Sequence, residues 1–255
     1  MIPIKTQEEI EKMRHAGAVA AAVLGAVCNH VVAGISTAEL DRFAKEVMDY
    51  HGAKSTTFGF RSGKRVFPGY GCWSVNDEIV HGLPSEKRIL REGDIISIDL
   101  TVSVDGFVGD NTRTVAIGEI TPEIQHLIDV TQKALQAGIN AAREGNTVGH
   151  ISAAIQRLAD ENRFGVVREL VGHGIGREMH EDPQVPNYGV AGQGPILKSG
   201  MTLAIEPMFT LGKAKISTDP DGWTIRTADG SWAAHWEHTI LITDNLPEIL
   251  TLLKK

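Results

Sequence analysis

Two stretches far apart in the chain, Arg91-Glu-Gly-Asp-Ile-Ile-Ser-Ile-Asp99 and Lys198-Ser-Gly-Met-Thr-Leu-Ala-Ile-Glu206, read as copies of one another. Each opens on a base, places Gly third, runs through strand-forming apolar residues and ends on a carboxylate where a strand interior is normally apolar. A buried carboxylate is strongly disfavoured unless a cation receives it. Two such carboxylates in matching places point to a metal, and they restrict the chain to folds in which two related strands meet.

The surroundings repeat as well. Thr6-Gln-Glu-Glu9 has capping-box form and predicts a helix from about residue 7 to Val32, ending before Gly34. Ser36-Thr-Ala-Glu39 predicts a second helix, with Leu40, Phe43, Ala44, Val47 and Met48 at helical spacing and Gly52 as its stop. A Gly-rich stretch from Thr56 to Gly71 reads as irregular and leads to the first carboxylate phrase. Thr121-Pro-Glu then starts a third helix, with Pro at the first helical position, and a fourth runs from Thr147 to about Asn162. Strand material, Glu206 and a last apolar segment from Trp236 to Thr243 complete the second round. Helix, helix, strands, carboxylate occurs twice at nearly equal offsets, so the sequence predicts one domain over residues 1–255 in two pseudo-symmetric halves, about 6–120 and 121–245.

Asp105-Gly106 is a strong signal for a two-residue hairpin turn between Ile95–Val104 and Phe107–Ile117. Such a turn sets Val104 opposite Phe107, Thr101 opposite Asp110 and Asp99 opposite Thr112, which makes Asp99 and Asp110 diagonal neighbours on one face. Ser97, Thr101, Ser103 and Thr112 share that face; Ile98, Leu100, Val102, Val104 and Phe107 share the other. A solvated polar face is the plain alternative, although it gives no reason for the Glu206 copy.

Most of the ten histidines have ordinary readings: His15, His30, His51, His126 and His150 lie on predicted helices or at their ends. His173 differs, because the glycines of Val171-Gly-His-Gly-Ile-Gly176 let backbone approach a ligand closely, and an imidazole among carboxylates suits a divalent transition metal. Glu237 and His238 open the last apolar strand, with Glu237 as the counterpart of Asp110; both, like His235, can equally be strand-end residues. His81, in Val80-His-Gly-Leu-Pro84, can be a plain loop histidine.

Composition excludes several classes. With 25 Lys and Arg against 32 Asp and Glu the net charge is −7, and no run of like charges marks a nucleic-acid surface. Two cysteines, Cys28 and Cys72, make no disulfide framework and fit a reducing cytoplasm. Ala16 to Ile35 lacks charged residues, but it is rich in Ala, Val and Gly and interrupted by Asn29 and His30, so it predicts a buried helix and not a membrane span. Lys5, Lys12 and Arg14 alternate with Glu8, Glu9 and Glu11 ahead of it, unlike the basic start of a secretory signal.

Taken together, Val80-His-Gly-Leu-Pro84, Asp99 with Asp110 eleven residues on, Gly172-His-Gly-Ile-Gly176 with His180, Ile205-Glu-Pro207 and Glu237-His-Thr239 closely resemble the type I methionine aminopeptidases over essentially the whole length. The resemblance implies an α/β (α+β) pita-bread fold: a pseudo-twofold antiparallel sheet covered by two helix pairs. It implies a dinuclear site with Asp99, Asp110, His173, Glu206 and Glu237 as ligands, for two divalent ions among Co, Mn, Fe and Zn. His81 and His180 would contact substrate near the scissile bond, Glu206 would act as general base, and Cys72, Phe67, Met179 and Trp223 would surround the methionine pocket. Phe67 and Met179 keep that pocket apolar where the family often has aromatic residues, whereas Lys64 would put a charge at its outer edge. The implied reaction is removal of initiator methionine from nascent chains with a small second residue, by a short bacterial form acting as a cytoplasmic monomer near the ribosome. An Xaa-Pro peptidase of the same fold would use the same five ligands but generally carries an additional preceding domain. A non-catalytic module that has lost its metals is the rival of another class.

Overall fold

Asp105 and Gly106 adopt φ of 51° and 77°, the left-handed pair that a two-residue turn requires. Around this turn, in a computed structural model that describes residues 2–253, Ile95–Val104 and Phe107–Ala116 pair along their whole length. The register sets Val104 opposite Phe107, Thr101 opposite Asp110 and Asp99 opposite Thr112. The apolar side of this long hairpin is covered by helices, and Ile98, Leu100 and Val102 are fully buried there. Each such burial is worth about 1.5–3 kcal/mol. The polar side is also out of water: Ser97, Thr101, Asp110, Thr112 and Thr114 are all buried, so it is an interior face and not a solvated one.

Four helices cover the sheet. Helix α1 (Gln7–His30) is capped by Thr6, which accepts from the Glu9 amide while Glu9 reaches back to the Thr6 amide, and α2 (Thr37–Tyr50) repeats the device with Ser36 and Glu39. Helix α3 (Pro122–Ala141) starts on Pro with Thr121 as cap, and α4 (Val148–Asn162) ends at Arg163 in the left-handed conformation. Helix α1 stops at His30, shorter than expected, because the β-branched Val31 is already extended. Its small residues let it lie close on the hairpin. A Cβ at Gly109 would stand 2.6 Å from the Ala16 carbonyl oxygen, and one at Gly17 2.7 Å from that of Leu250. This close approach explains the uncharged Ala and Gly stretch, and no helix is long and apolar enough to cross a membrane among the described residues.

The main sheet runs in the order Lys54–Ser55, Ile95–Val104, Phe107–Ala116, Glu237–Leu241, Thr202–Ile205, Gly172–Gly174, Glu181–Val185, with Cys72–Val75 also beside Ile95–Val104 and Glu248–Ile249 beside Glu237–Leu241. Every one of these pairings is antiparallel. Helices α1 and α2 share one core with the long hairpin, while α3 and α4 share another with Thr202–Ile205 and Glu237–Leu241. Two features outside this sheet shape the site. A small sheet joins Ile216–Thr218, Ile225–Thr227 and Glu78–Val80. Arg226 locks it by donating to Asp219 at 2.7 Å, Asp77 at 3.0 Å and Glu78 at 2.9 Å. The stretch expected to be irregular contains a second, short hairpin, Arg61–Ser62 with Arg65–Val66.

Candidate metal centre

Three adjacent strands aim carboxylates at one point. Thr112 lies opposite Asp99 on one side and opposite Glu237 on the other, so the register alone brings Asp99, Asp110 and Glu237 to one patch of the sheet. Thr101 donates to Asp110 Oδ1 at 2.7 Å and Thr112 donates to Glu237 Oε2 at 2.8 Å, which fixes both carboxylates. Thr239 stitches the two strands by donating to the Asp110 carbonyl at 2.8 Å and accepting its amide at 3.1 Å. Glu206 follows Thr202–Ile205 directly, and His173 pairs with Ala204 on the next strand.

His173 Nδ1 and the Gly174 carbonyl oxygen are 2.9 Å apart. A proton on Nδ1 leaves the lone pair on Nε2, which lies 3.5 Å from Glu206 Oε1 and 3.9 Å from Asp110 Oδ2. Ligand atoms of Asp110, His173 and Glu237 all fall within 4.8 Å of one another. Of the two residues opening the last strand, Glu237 points into this cluster, while His238 turns away to Thr251 at 2.9 Å.

The carboxyls raise one another's proton affinity. Loss of hydration and the neighbouring Asp110 push Asp99 up to about 8; loss of hydration pushes Asp110 to about 6 against the Thr101 hydrogen bond. Glu206 and Glu237 are raised well above the carboxylate range by burial and then by the other acids. Without a cation, Asp99 holds its proton near neutral pH. An oxygen-rich set with one imidazole offering a free lone pair, and with repulsion that only positive charge relieves, fits divalent transition metals.

The cluster forms the floor of a cavity of about 210 Å³. Its walls include the five expected ligands, Asp99, Asp110, His173, Glu206 and Glu237, together with His81, His180, Cys72, Phe67, Met179 and Trp223. Phe67 meets Trp223 edge-on at 5.2 Å, and the His180 ring stands over His173 at 4.5 Å. His81 adopts φ of 60°, a backbone state unusual for a side-chain-bearing residue, which fits a position fixed for function. Burial brings its imidazole down to about 4, so it is neutral at pH 7. His180 sits in a turn organised by Glu181, whose Oε1 accepts the Arg177 and Glu178 amides at 2.9 and 3.4 Å while Oε2 pairs with the buried Lys5 at 2.5 Å.

Lys64 is not on the wall. It belongs to the turn of the short hairpin, and Phe60 supplies the outer aromatic surface instead, 6.4 Å from Trp223. Reading from sequence missed Phe60, Thr57 and His235 as lining residues. Phe60 and Phe67 flank the two-residue turn signal Gly63-Lys64, which points to the hairpin. His235 is fully interior, with Nε2 3.7 Å from Glu206 Oε2 and without a hydrogen-bond partner among the described residues.

Comparison with known proteins agrees with this geometry. The sequence profile of metallopeptidase family M24 matches residues 11–244. The chain is 47% identical to a methionine aminopeptidase of Clostridium acetobutylicum, over 99% of both chains. It superposes on the crystal structure of methionine aminopeptidase from Thermotoga maritima with a TM-score of 0.94 at 42% identity, covering 99% of this chain and 100% of that one. The prolidase from Pyrococcus furiosus shares the fold at a TM-score of 0.79 and 24% identity, with 99% of this chain covering 66% of that one. The chain therefore belongs to the type I methionine aminopeptidases of metallopeptidase family M24, and its fold is the pita-bread fold.

Proposed function

We propose that this enzyme releases the initiator methionine from nascent polypeptides whose second residue is small, using two divalent ions among Co, Mn, Fe and Zn held by Asp99, Asp110, His173, Glu206 and Glu237. The observation that carries the reading is the convergence on one cavity of four carboxylates and one imidazole, with Asp110, Glu237 and His173 buried and Asp99 and Glu206 half-buried. When bound, such ions polarise a peptide carbonyl and make water a competent nucleophile near neutral pH.

The protein's own groups supply the rest. Glu206, whose proton affinity is raised and which retains access to the cavity, takes the proton of the attacking water and delivers it to the departing amine. His180, at the mouth, and His81, neutral at working pH, donate hydrogen bonds to the carbonyl oxygen as negative charge develops. Phe60, Phe67, Cys72, Met179 and Trp223 seat an unbranched thioether side chain and exclude water from it. The cavity has room for one long side chain.

On this reading residues 1–255 are one catalytic domain in two pseudo-symmetric halves, about 6–120 and 121–245, each giving two helices and a carboxylate-bearing strand pair. The working form is a monomer in the cytoplasm, acting on N-termini as they leave the ribosome. Comparing metal-loaded protein on Met-Ala-Ser and Ala-Pro-Ala peptides tests it. Release of methionine from the first with the second left intact is expected; the reverse preference would replace the proposal by an Xaa-Pro peptidase.

A further inference from the structure

Phe60 and Phe67 are both on the cavity wall, and the Phe67 amide donates to the Phe60 carbonyl at 2.8 Å. They form the base of the short hairpin, which continues outward with Arg61 opposite Val66 and Ser62 opposite Arg65, closed by Gly63 and Lys64. Side chains alternate along a strand, so Ser62 and Arg65 share the cavity side with the two phenylalanines. Arg65 shows this directly: its guanidinium donates to the Gly222 carbonyl at 3.2 Å, next to Trp223. The hairpin is thus an outward extension of the substrate cavity's aromatic wall.

Its charge is one-sided. Arg61, Lys64 and Arg65 are exposed and form no ion pair among the described residues. No Asp or Glu occurs between Asp49 and Asp77, although the chain as a whole is acidic. The acids nearest in sequence to Gly222 are already engaged. Asp219 holds Arg226 at 2.7 Å, and Asp221 accepts the Trp223 and Thr224 amides at 2.7 and 2.9 Å. Arg65 on the cavity side and Lys64 at the turn therefore place two cations beside the aromatic wall, with Arg61 on the hairpin's other face.

We propose that the Arg61–Val66 hairpin is a binding subsite for the part of the substrate peptide beyond its second residue, selecting acidic side chains at the third to fifth positions. The inference rests on the proposed peptidase activity. The geometry supports this placement, because an extended peptide advances about 3.3 Å per residue and Lys64 lies three residues beyond Phe67, about 10 Å from the cavity wall. Peptide carboxylates are favoured over nucleic-acid phosphates as the occupant because Arg65 is tied to the pocket loop and shares its face with Phe60 and Phe67.

The test uses metal-loaded full-length protein and three peptides, Met-Ala-Ser-Glu-Glu-Gly, Met-Ala-Ser-Gln-Gln-Gly and Met-Ala-Ser-Lys-Lys-Gly. At low ionic strength kcat/KM for the acidic peptide should exceed that for the basic one by about 10-fold, carried by KM, and the ratio should fall toward one as salt screens the charges. The double variant Lys64→Ser, Arg65→Ser should bring the ratio near one, and Lys64→Glu, Arg65→Glu should invert it. Because the readout is a ratio within each variant, a change in overall rate does not disturb it. Equal cleavage of the charged peptides by the wild type, or a ratio indifferent to both double variants, overturns the subsite and leaves the aminopeptidase reading intact. Equal cleavage together with lost co-sedimentation of the Lys64→Ser, Arg65→Ser variant with ribosomes assigns the cations to RNA and also overturns it. Cleavage of none of the three peptides removes the aminopeptidase reading itself.

Discussion

Stripping the ions by chelation and raising the pH from about 6.5 to 8 should unfold this protein more easily, and the size of the effect follows from the site. Asp99 is raised to about 8, and Glu206 and Glu237 are raised well above their ordinary range. For a carboxyl whose folded value is raised, stability is fully present below the unfolded value near 4 and is lost as pH climbs through the folded value. The site histidines act in the opposite sense: His81 is held to about 4 and His235 to about 3, so their contribution is present above about 6.5 and lost as pH falls. Below about 6.5 the two sets oppose each other. Above it only the carboxyls distinguish the two states. Each carboxyl that keeps its proton in the folded chain then costs about 1.4 kcal/mol per pH unit, or about 2 kcal/mol across the window. In a chain of this size that is about 4–8 °C of Tm per group. Thermal melts of chelated protein at several pH values between 6.5 and 8 should show this decline, and saturating manganese should remove most of it. A flat or rising Tm of the chelated protein over that window would mean that its carboxylates are solvated separately and do not raise one another's proton affinity.

Glu206→Gln should lower turnover by about 10²-fold or more while leaving the fold intact; the chelated variant should also melt higher than chelated wild type at pH 8, since one repelling acid is gone. Trp223→Ala opens the wall against Phe67 and should reduce kcat/KM on Met-Ala-Ser about 10-fold or more, mainly through KM, as steady-state kinetics would show. Gly109→Ala places a methyl 2.6 Å from the Ala16 carbonyl oxygen and must push α1 off the hairpin, so denaturant unfolding should show a loss of about 2 kcal/mol or more.

Much of this was legible because short-range chemistry fixes it. Asp105-Gly106 dictates its turn and therefore the register, so the placement of Asp99 opposite Thr112 and Asp110 opposite Thr101 needed nothing beyond the hairpin. Thr6, Ser36 and Thr121 mark helix starts by capping geometry that acts within four residues. What the local pattern lacked was partner choice between distant strands. That Glu237 comes to face Thr112, and that His238 turns to Thr251, depends on pairing across more than a hundred residues, and the local pattern allows either residue to point inward. Burial of the polar face was hidden for the same reason, since it is made by strands from the other half. The hairpin at Arg61–Val66 escaped because its two-residue strands are exposed and show no apolar alternation, and Lys64 was consequently placed on a wall that Phe60 occupies.

The central claim is that Asp99, Asp110, His173, Glu206 and Glu237 together hold a pair of cations on which peptide cleavage depends. Titrating metal-free protein separately with manganese, iron, cobalt and zinc, while measuring both ions bound per chain and methionine released from Met-Ala-Ser, tests it most directly. Release should be negligible without metal and recover in step with occupancy up to two ions per chain with at least one of the four, and that binding should be lost in Asp110→Asn. Full release by the metal-free chain, or metal uptake that Asp110→Asn leaves unchanged, would contradict it.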